Sequence, residues 1–175
     1  TPVIWQNRVF VVTAVPAVAE NVQQARQAEP VSSQRGGRGR GRRRPGSGGG
    51  QLTKLAFKIF CFNRGSGKQL WEQSAAVATP HQGMHATNSF ASASPCTDGN
   101  HVYAHFGSRG LFCYTMDGEL KWKRDDFGKM DTRNSFGEGS SPTLEGDKIL
   151  VPWDHEGPSF LYALDKRTGK TIWKT

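Results

Sequence analysis

The chain has 175 residues, 35% of them hydrophobic and 22% charged, with 23 Lys and Arg against 15 Asp and Glu for a formal net charge of +8. Three cysteines, an odd number, argue against a disulfide scaffold, and no apolar run is long enough to cross a membrane as a helix. Short apolar segments bounded by Gly, Asn and Asp point to an all-β chain.

In chain order, the first unit opens at Thr1-Pro2, passes a polar turn at Gln6-Asn7, and enters a strand at Arg8-Val9-Phe10-Val11-Val12. After an interruption it resumes with the aromatic run Phe60-Cys61-Phe62-Asn63, and a Gly-containing turn reverses it into Gly67-Lys68-Gln69-Leu70-Trp71. The second unit repeats the order: Ser94-Pro95, a turn at Asp98-Gly99-Asn100, His101 to Phe106, Tyr114-Thr115-Met116-Asp117, then Gly118-Glu119-Leu120-Lys121-Trp122. The third runs from Ser141-Pro142 through Glu145-Gly146-Asp147 and Lys148 to Val151 to Tyr162-Ala163-Leu164-Asp165 and Gly169-Lys170-Thr171-Ile172-Trp173. Trp71, Trp122 and Trp173 stand 51 residues apart, a period that marks repeat architecture. They are expected to close equivalent strands, with Asn63, Asp117 and Asp165 at equivalent turns.

Each unit therefore predicts four short antiparallel strands, the blade of a β-propeller. The expected blades are residues 1–12 with 52–75, then 86–125, then 133–175. Propellers close with four to eight blades, so three form an incomplete propeller and the chain reads as a piece of a longer protein. The distance from Pro2 to Trp71 is 69 residues, against 27 from Pro95 to Trp122 and 31 from Pro142 to Trp173. Residues 13–51 are thus an insertion, expected to be a disordered Gln-, Arg- and Gly-rich loop with a faint helix over 18–28.

Blades ending in Tyr-Ala-Leu-Asp, Thr-Gly-Lys and Trp resemble the pyrroloquinoline quinone (PQQ)-like propeller repeats. These occur in quinoprotein dehydrogenases and in non-enzymatic relatives such as the lipoprotein subunit of the outer-membrane β-barrel assembly machinery. Tyr162 to Trp173 matches the phrase best, and Phe60 to Trp71 matches it most loosely. The resemblance implies a fold, and leaves activity to the site. Quinoprotein dehydrogenases commonly carry a disulfide between adjacent cysteines beside the cofactor, and Cys61, Cys96 and Cys113 include no such pair. Cys61 is read in register with Thr115 and Ala163, and Cys113 with Ile59 and Leu161, as small core-filling side chains.

Charge is unevenly placed. Residues 13–53 hold seven Arg against two Glu, a net +5, which leaves +3 for the rest. Arg35, Arg38, Arg40, Arg42, Arg43 and Arg44 alternate with Gly as in segments that bind RNA or another polyanion by phosphate neutralisation, although no aromatic side chain lies among them to stack bases. A solvated insertion or a loop against an anionic surface is the competing reading.

An Asn-Ser-Phe phrase recurs at Asn88-Ser89-Phe90 and Asn134-Ser135-Phe136, before the second and third Pro landmarks. Equivalent positions of neighbouring blades lie side by side, so His85, Asn88, Arg133, Asn134, Glu138, Trp153, Asp154 and His155 are expected to meet on one axial face. The competing reading gives Asn and Ser to backbone groups in turns. The five histidines match no zinc spacing, and no metal site or catalytic residue is assigned.

Two functions follow from the resemblance. The first is a non-catalytic binding or assembly scaffold without cofactor, partnered by other proteins and located in the periplasm or otherwise outside the cytoplasmic membrane; the missing Cys-Cys pair favours it. The second is a PQQ- and Ca²⁺-dependent oxidoreductase of alcohols or sugars, with Glu138, Asn134 and Asp154 as the visible ligand candidates.

Overall fold

The computed structural model describes residues 1–17 and 52–175. Their strands form three four-stranded antiparallel sheets, each a meander in sequence order. The first sheet is β1 (Val3–Trp5), β2 (Arg8–Pro16), β3 (Leu55–Asn63) and β4 (Gln69–Ala78). The second is β5 (Cys96–Thr97), β6 (His101–His105), β7 (Leu111–Thr115) and β8 (Leu120–Arg124). The third is β9 (Thr143–Glu145), β10 (Lys148–Trp153), β11 (Phe160–Asp165) and β12 (Thr171–Lys174). The leading strands β1, β5 and β9 are neighbours, so the sheets stand side by side as three blades of an incomplete β-propeller.

The middle sheet is buried on both faces, and its alternation of side chains builds two cores. Val102, Ala104, Phe106, Phe112 and Tyr114 pack with Phe10, Phe57, Ile59 and Cys61 of the first sheet. Tyr103, Leu111 and Cys113 pack with Ile149, Val151, Trp153 and Leu164 of the third.

Successive blades interlock through the repeated tryptophans. Trp71 donates its indole N–H to the Met116 carbonyl at 2.8 Å, in the β7–β8 turn of the next blade. Trp122 donates to the Lys166 carbonyl at 3.1 Å, in the β11–β12 turn. A glycine lies under each indole: a Cβ on Gly118 would sit 2.8 Å from Trp71, and one on Gly169 would sit 2.7 Å from Trp122. Trp173 is 39% exposed.

The pairing corrects the expected register in three places. Asn63 and Asp165 each accept hydrogen bonds from two following amides and a hydroxyl in their turns. In the second blade the equivalent position is Thr115, whose Oγ1 accepts from Glu119 N at 3.0 Å. That turn is one residue shorter, which pushes Asp117 out to 84% exposure, where it pairs with Arg8 at 2.7 Å. Cys113 pairs with Trp122 as Cys61 pairs with Trp71 and Ala163 with Trp173, so the two cysteines share one register.

The third correction concerns the insertion. β2 runs past Val12 to Pro16, paired with β3 up to Leu55, and Ala17 N donates to Lys54 O at 2.9 Å. The extension is driven by burial of Leu55, Ala56 and Phe57 on the partner strand, and Pro16 is tolerated at the strand end. The expected helix over 18–28 and Arg35, Arg38, Arg40, Arg42, Arg43 and Arg44 lie outside the described residues.

Candidate functional site

The meander places the connections of every blade at two opposite ends. One end carries the tight turns, tied together by Arg8 on the Met116 carbonyl and Asp117 and by Lys166 on Asp98 at 3.3 Å. The other end carries the longer segments 79–95, 106–110, 125–142 and 154–159, and the β2–β3 connection leaves from it as well. Long connections on a rigid scaffold are where binding groups collect.

The expected site residues divide between two clusters at this end. In the first, Glu138 accepts from Ser108 N at 2.5 Å and from Ser108 Oγ at 2.6 Å. The same hydroxyl accepts from Met130 N at 2.7 Å, tying the segments before β7 and β9 together. His81 Nε2 lies 3.9 Å from Glu138 and contacts the Met130 carbonyl at 2.7 Å. Its Nδ1 lies 2.8 Å from Arg109 Nη2. Gly107 makes room for this carboxylate, since a Cβ there would strike Glu138.

The second cluster borders an open cleft of about 600 Å³ lined by Asp131, Thr132, Arg133, Phe136, Asp154, His155 and Glu156. Arg133 donates to Glu156 at 3.3 Å. His155 Nδ1 accepts from Asp131 N at 3.2 Å and Gly157 N at 3.0 Å, which puts its proton on Nε2. Asp154 accepts from Ser159 Oγ at 2.8 Å.

Asn88 borders the second cluster by donating to the Phe136 carbonyl at 2.7 Å, while its Oδ1 accepts from Ser89 N at 2.8 Å. The His85 ring stacks on exposed Phe136 with centroids 5.6 Å apart. Asn134 occupies the left-handed region at φ 52°, a conformation Asn tolerates better than most residues.

Trp153 departs from the expectation of a ligand on the open face. It is 2% exposed and packs against Phe127 at 5.3 Å, because its place at the end of β10 turns it into the core between the second and third sheets. Of the three candidates offered for Ca²⁺, Glu138 is held by Ser108, Asp154 by Ser159, and Asn134 is exposed. Among the described residues no three His, Cys, Asp or Glu side chains gather to hold an ion. Burial pushes the Cys96 and Cys113 thiols up to about 12, which keeps both protonated and unreactive at neutral pH.

Sequence reasoning missed Ser108 and Arg109 and gave His81 no role. Ser108 meets Glu138 across 30 residues and Arg109 meets His81 across 28, where no local spacing links them. A Gly at 107 just after a buried strand was the available signal of a close approach.

A family model described as outer membrane protein assembly factor BamB, built on PQQ-like repeats, matches residues 24–175. No curated protein matches the chain by sequence. Similar solved structures include BamB from Moraxella catarrhalis, 16% identical over 74% of this chain and 34% of that one with a TM-score of 0.41. A europium-containing methanol dehydrogenase is 14% identical over 71% of this chain and 22% of its own, with a TM-score of 0.48. The quinohemoprotein alcohol dehydrogenase from Comamonas testosteroni is 12% identical over 71% and 19%, with a TM-score of 0.48. The chain spans about a third or less of the length of these proteins.

Proposed function

The chain belongs to the PQQ-like repeat family described as outer membrane protein assembly factor BamB, and from that premise we propose that it is a non-catalytic propeller segment that binds other proteins during outer-membrane assembly. The observation that carries this reading is the family match over residues 24–175. The bonding of Glu138 to Ser108 and of Asp154 to Ser159 supports it, since a quinoprotein reading would need these carboxylates turned to Ca²⁺. The working surface is the end that bears the long connections, with exposed Phe136, Arg133 and Glu156. Its place is the periplasmic side of the outer membrane; among the described residues no helix is long and apolar enough to cross a membrane.

Site-specific photo-crosslinking tests this. A crosslinker at Phe136 captures proteins of the outer-membrane assembly machinery, and one at Lys170, in a tight turn at the opposite end, does not. Equal capture at both positions, or capture of none of those proteins, refutes the assignment of the surface.

The six arginines between Arg35 and Arg44 favour a second interaction, with a polyanion. Binding of this kind weakens linearly in log–log salt plots with a slope set by the number of phosphates neutralised. A salt-independent affinity, or one unchanged when the six become Gln, refutes it.

A further inference from the structure

Strand alternation gives each blade two faces, and the pairing aligns the same positions in all three. Toward the preceding blade the second sheet presents Val102, Ala104, Phe112 and Tyr114, all buried, and the third presents Ile149, Val151, Tyr162 and Leu164, buried as well. The equivalent cross-strand pairs of the first sheet are Val9 with Phe62 and Val11 with Phe60, and these four are only half-buried. Toward the following blade each sheet presents a row that ends in tryptophan: Phe10, Cys61 and Trp71 in the first, Tyr103, Cys113 and Trp122 in the second, Leu150, Ala163 and Trp173 in the third. Trp71 reaches Tyr114 of the next blade, with ring centroids 6.4 Å apart, as well as the turn carbonyl. Trp173 is the exposed member of this series.

The first sheet carries the matching socket. Its β3–β4 turn is built as the β11–β12 turn is: Gly67 has φ 70° and Gly169 φ 71°, and Arg64 N donates to Asn7 O at 2.8 Å as Lys166 N donates to Asp147 O at 3.0 Å. That geometry offers the Lys166 carbonyl to Trp122, and it holds the Arg64 carbonyl in the same way. A Cβ on Gly67 meets nothing within 4 Å among the described residues, where Gly118 and Gly169 lie against an indole. The two halves of one interface thus stand on the first and the third blade of the same chain. We infer that the chain pairs head-to-tail with a second copy of itself. Trp173 of each copy seats on Gly67 of the other, donates its indole N–H to the Arg64 carbonyl, and packs against Phe62, which holds the position of Tyr114. Such a contact is heterologous and stops growing only when the rotation closes a ring. Two copies supply six blades, within the four to eight with which propellers close, whereas three copies would supply nine. The inference rests on the blade architecture and is independent of the assembly reading.

Sedimentation velocity on the full chain tests this. Association between copies spends translational and rotational freedom that blades of one chain do not lose again, so the dimer forms with a Kd on the order of 100 µM. The chain is then a monomer at about 5 µM, the range of an unfolding experiment, and mostly a dimer at about 500 µM. Trp173→Ala and Gly67→Ala each weaken the dimer about tenfold or more. Circular dichroism at about 5 µM shows both variants folded, because Trp173 is exposed and a Cβ at position 67 meets nothing within the monomer's described residues. An equimolar mixture of the two variants associates more tightly than either alone, since Trp173 of one meets Gly67 of the other. A monomer at every concentration overturns the proposal and gives both faces to further blades of the same repeat. Growth beyond the dimer, or a dimer indifferent to either substitution, overturns it as well.

Discussion

Gly67, Gly118 and Gly169 close the three β-hairpins at φ of 70°, 91° and 71°, but only two of them lie under an indole. Replacing each by Ala separates backbone strain from interblade packing. At Gly67 an added Cβ meets nothing within 4 Å, so Gly67→Ala costs only the left-handed backbone penalty, about 1–2 kcal/mol. At Gly118 and Gly169 the Cβ would sit 2.8 Å and 2.7 Å from Trp71 and Trp122. Relief there requires moving a large ring that is also held by its N–H on the turn carbonyl. Overpacking of this kind adds about 1–3 kcal/mol, so Gly118→Ala and Gly169→Ala cost about 2–5 kcal/mol in all. Urea unfolding followed by tryptophan fluorescence and by circular dichroism gives the three values, with coincident transitions as the check on two-state behaviour. Equal losses at all three glycines would refute the interlock between blades.

Truncating the tryptophans gives a parallel series: Trp71→Ala and Trp122→Ala each cost about 3 kcal/mol or more, while Trp173→Ala, at an exposed position, costs about 1 kcal/mol in this chain, by the same unfolding assay. Deleting residues 19–50 leaves Val18, Gln51, Leu52 and Thr53 between the paired Ala17 and Lys54, a four-residue hairpin connection of a common length. Strand content and Tm then stay nearly unchanged, and collapse of the fold would show the insertion to be structural. For His105 the folded pKa is depressed by burial, so the unfolded chain takes up the proton first. Stability is full above the ordinary histidine value of 6.5 and falls as pH drops through it toward the lower folded value, with a slope approaching about 1.4 kcal/mol per pH unit. His105→Gln removes that part of the pH dependence, and an unchanged slope contradicts the assignment.

The blades were legible because the Trp phrase and the strand–turn–strand order recur at one period, and strand alternation does the rest. Turn length was less legible: aligning Asp117 with Asn63 and Asp165 ignores the missing residue, and hydrogen bonding selects Thr115 instead. The extension of β2 to Pro16 was hidden because its support is the apolar run of the partner strand across the insertion. The candidate face was legible as a set of connections, since a polar segment precedes the second and the third Pro landmark. Which side chains meet there was not: Glu138, Ser108, Arg109 and His81 come from three different connections, and Trp153 looks polar-flanked in sequence yet lies in the core.

The most direct test of the non-catalytic reading is a titration of the full chain with PQQ in the presence of Ca²⁺, followed by quinone absorbance and by reduction of an artificial electron acceptor with alcohols and sugars supplied. The account predicts neither saturable quinone binding nor substrate-dependent dye reduction. Stoichiometric binding of the quinone together with dye reduction would contradict it and make Glu138, Asn134 and Asp154 the residues to replace first.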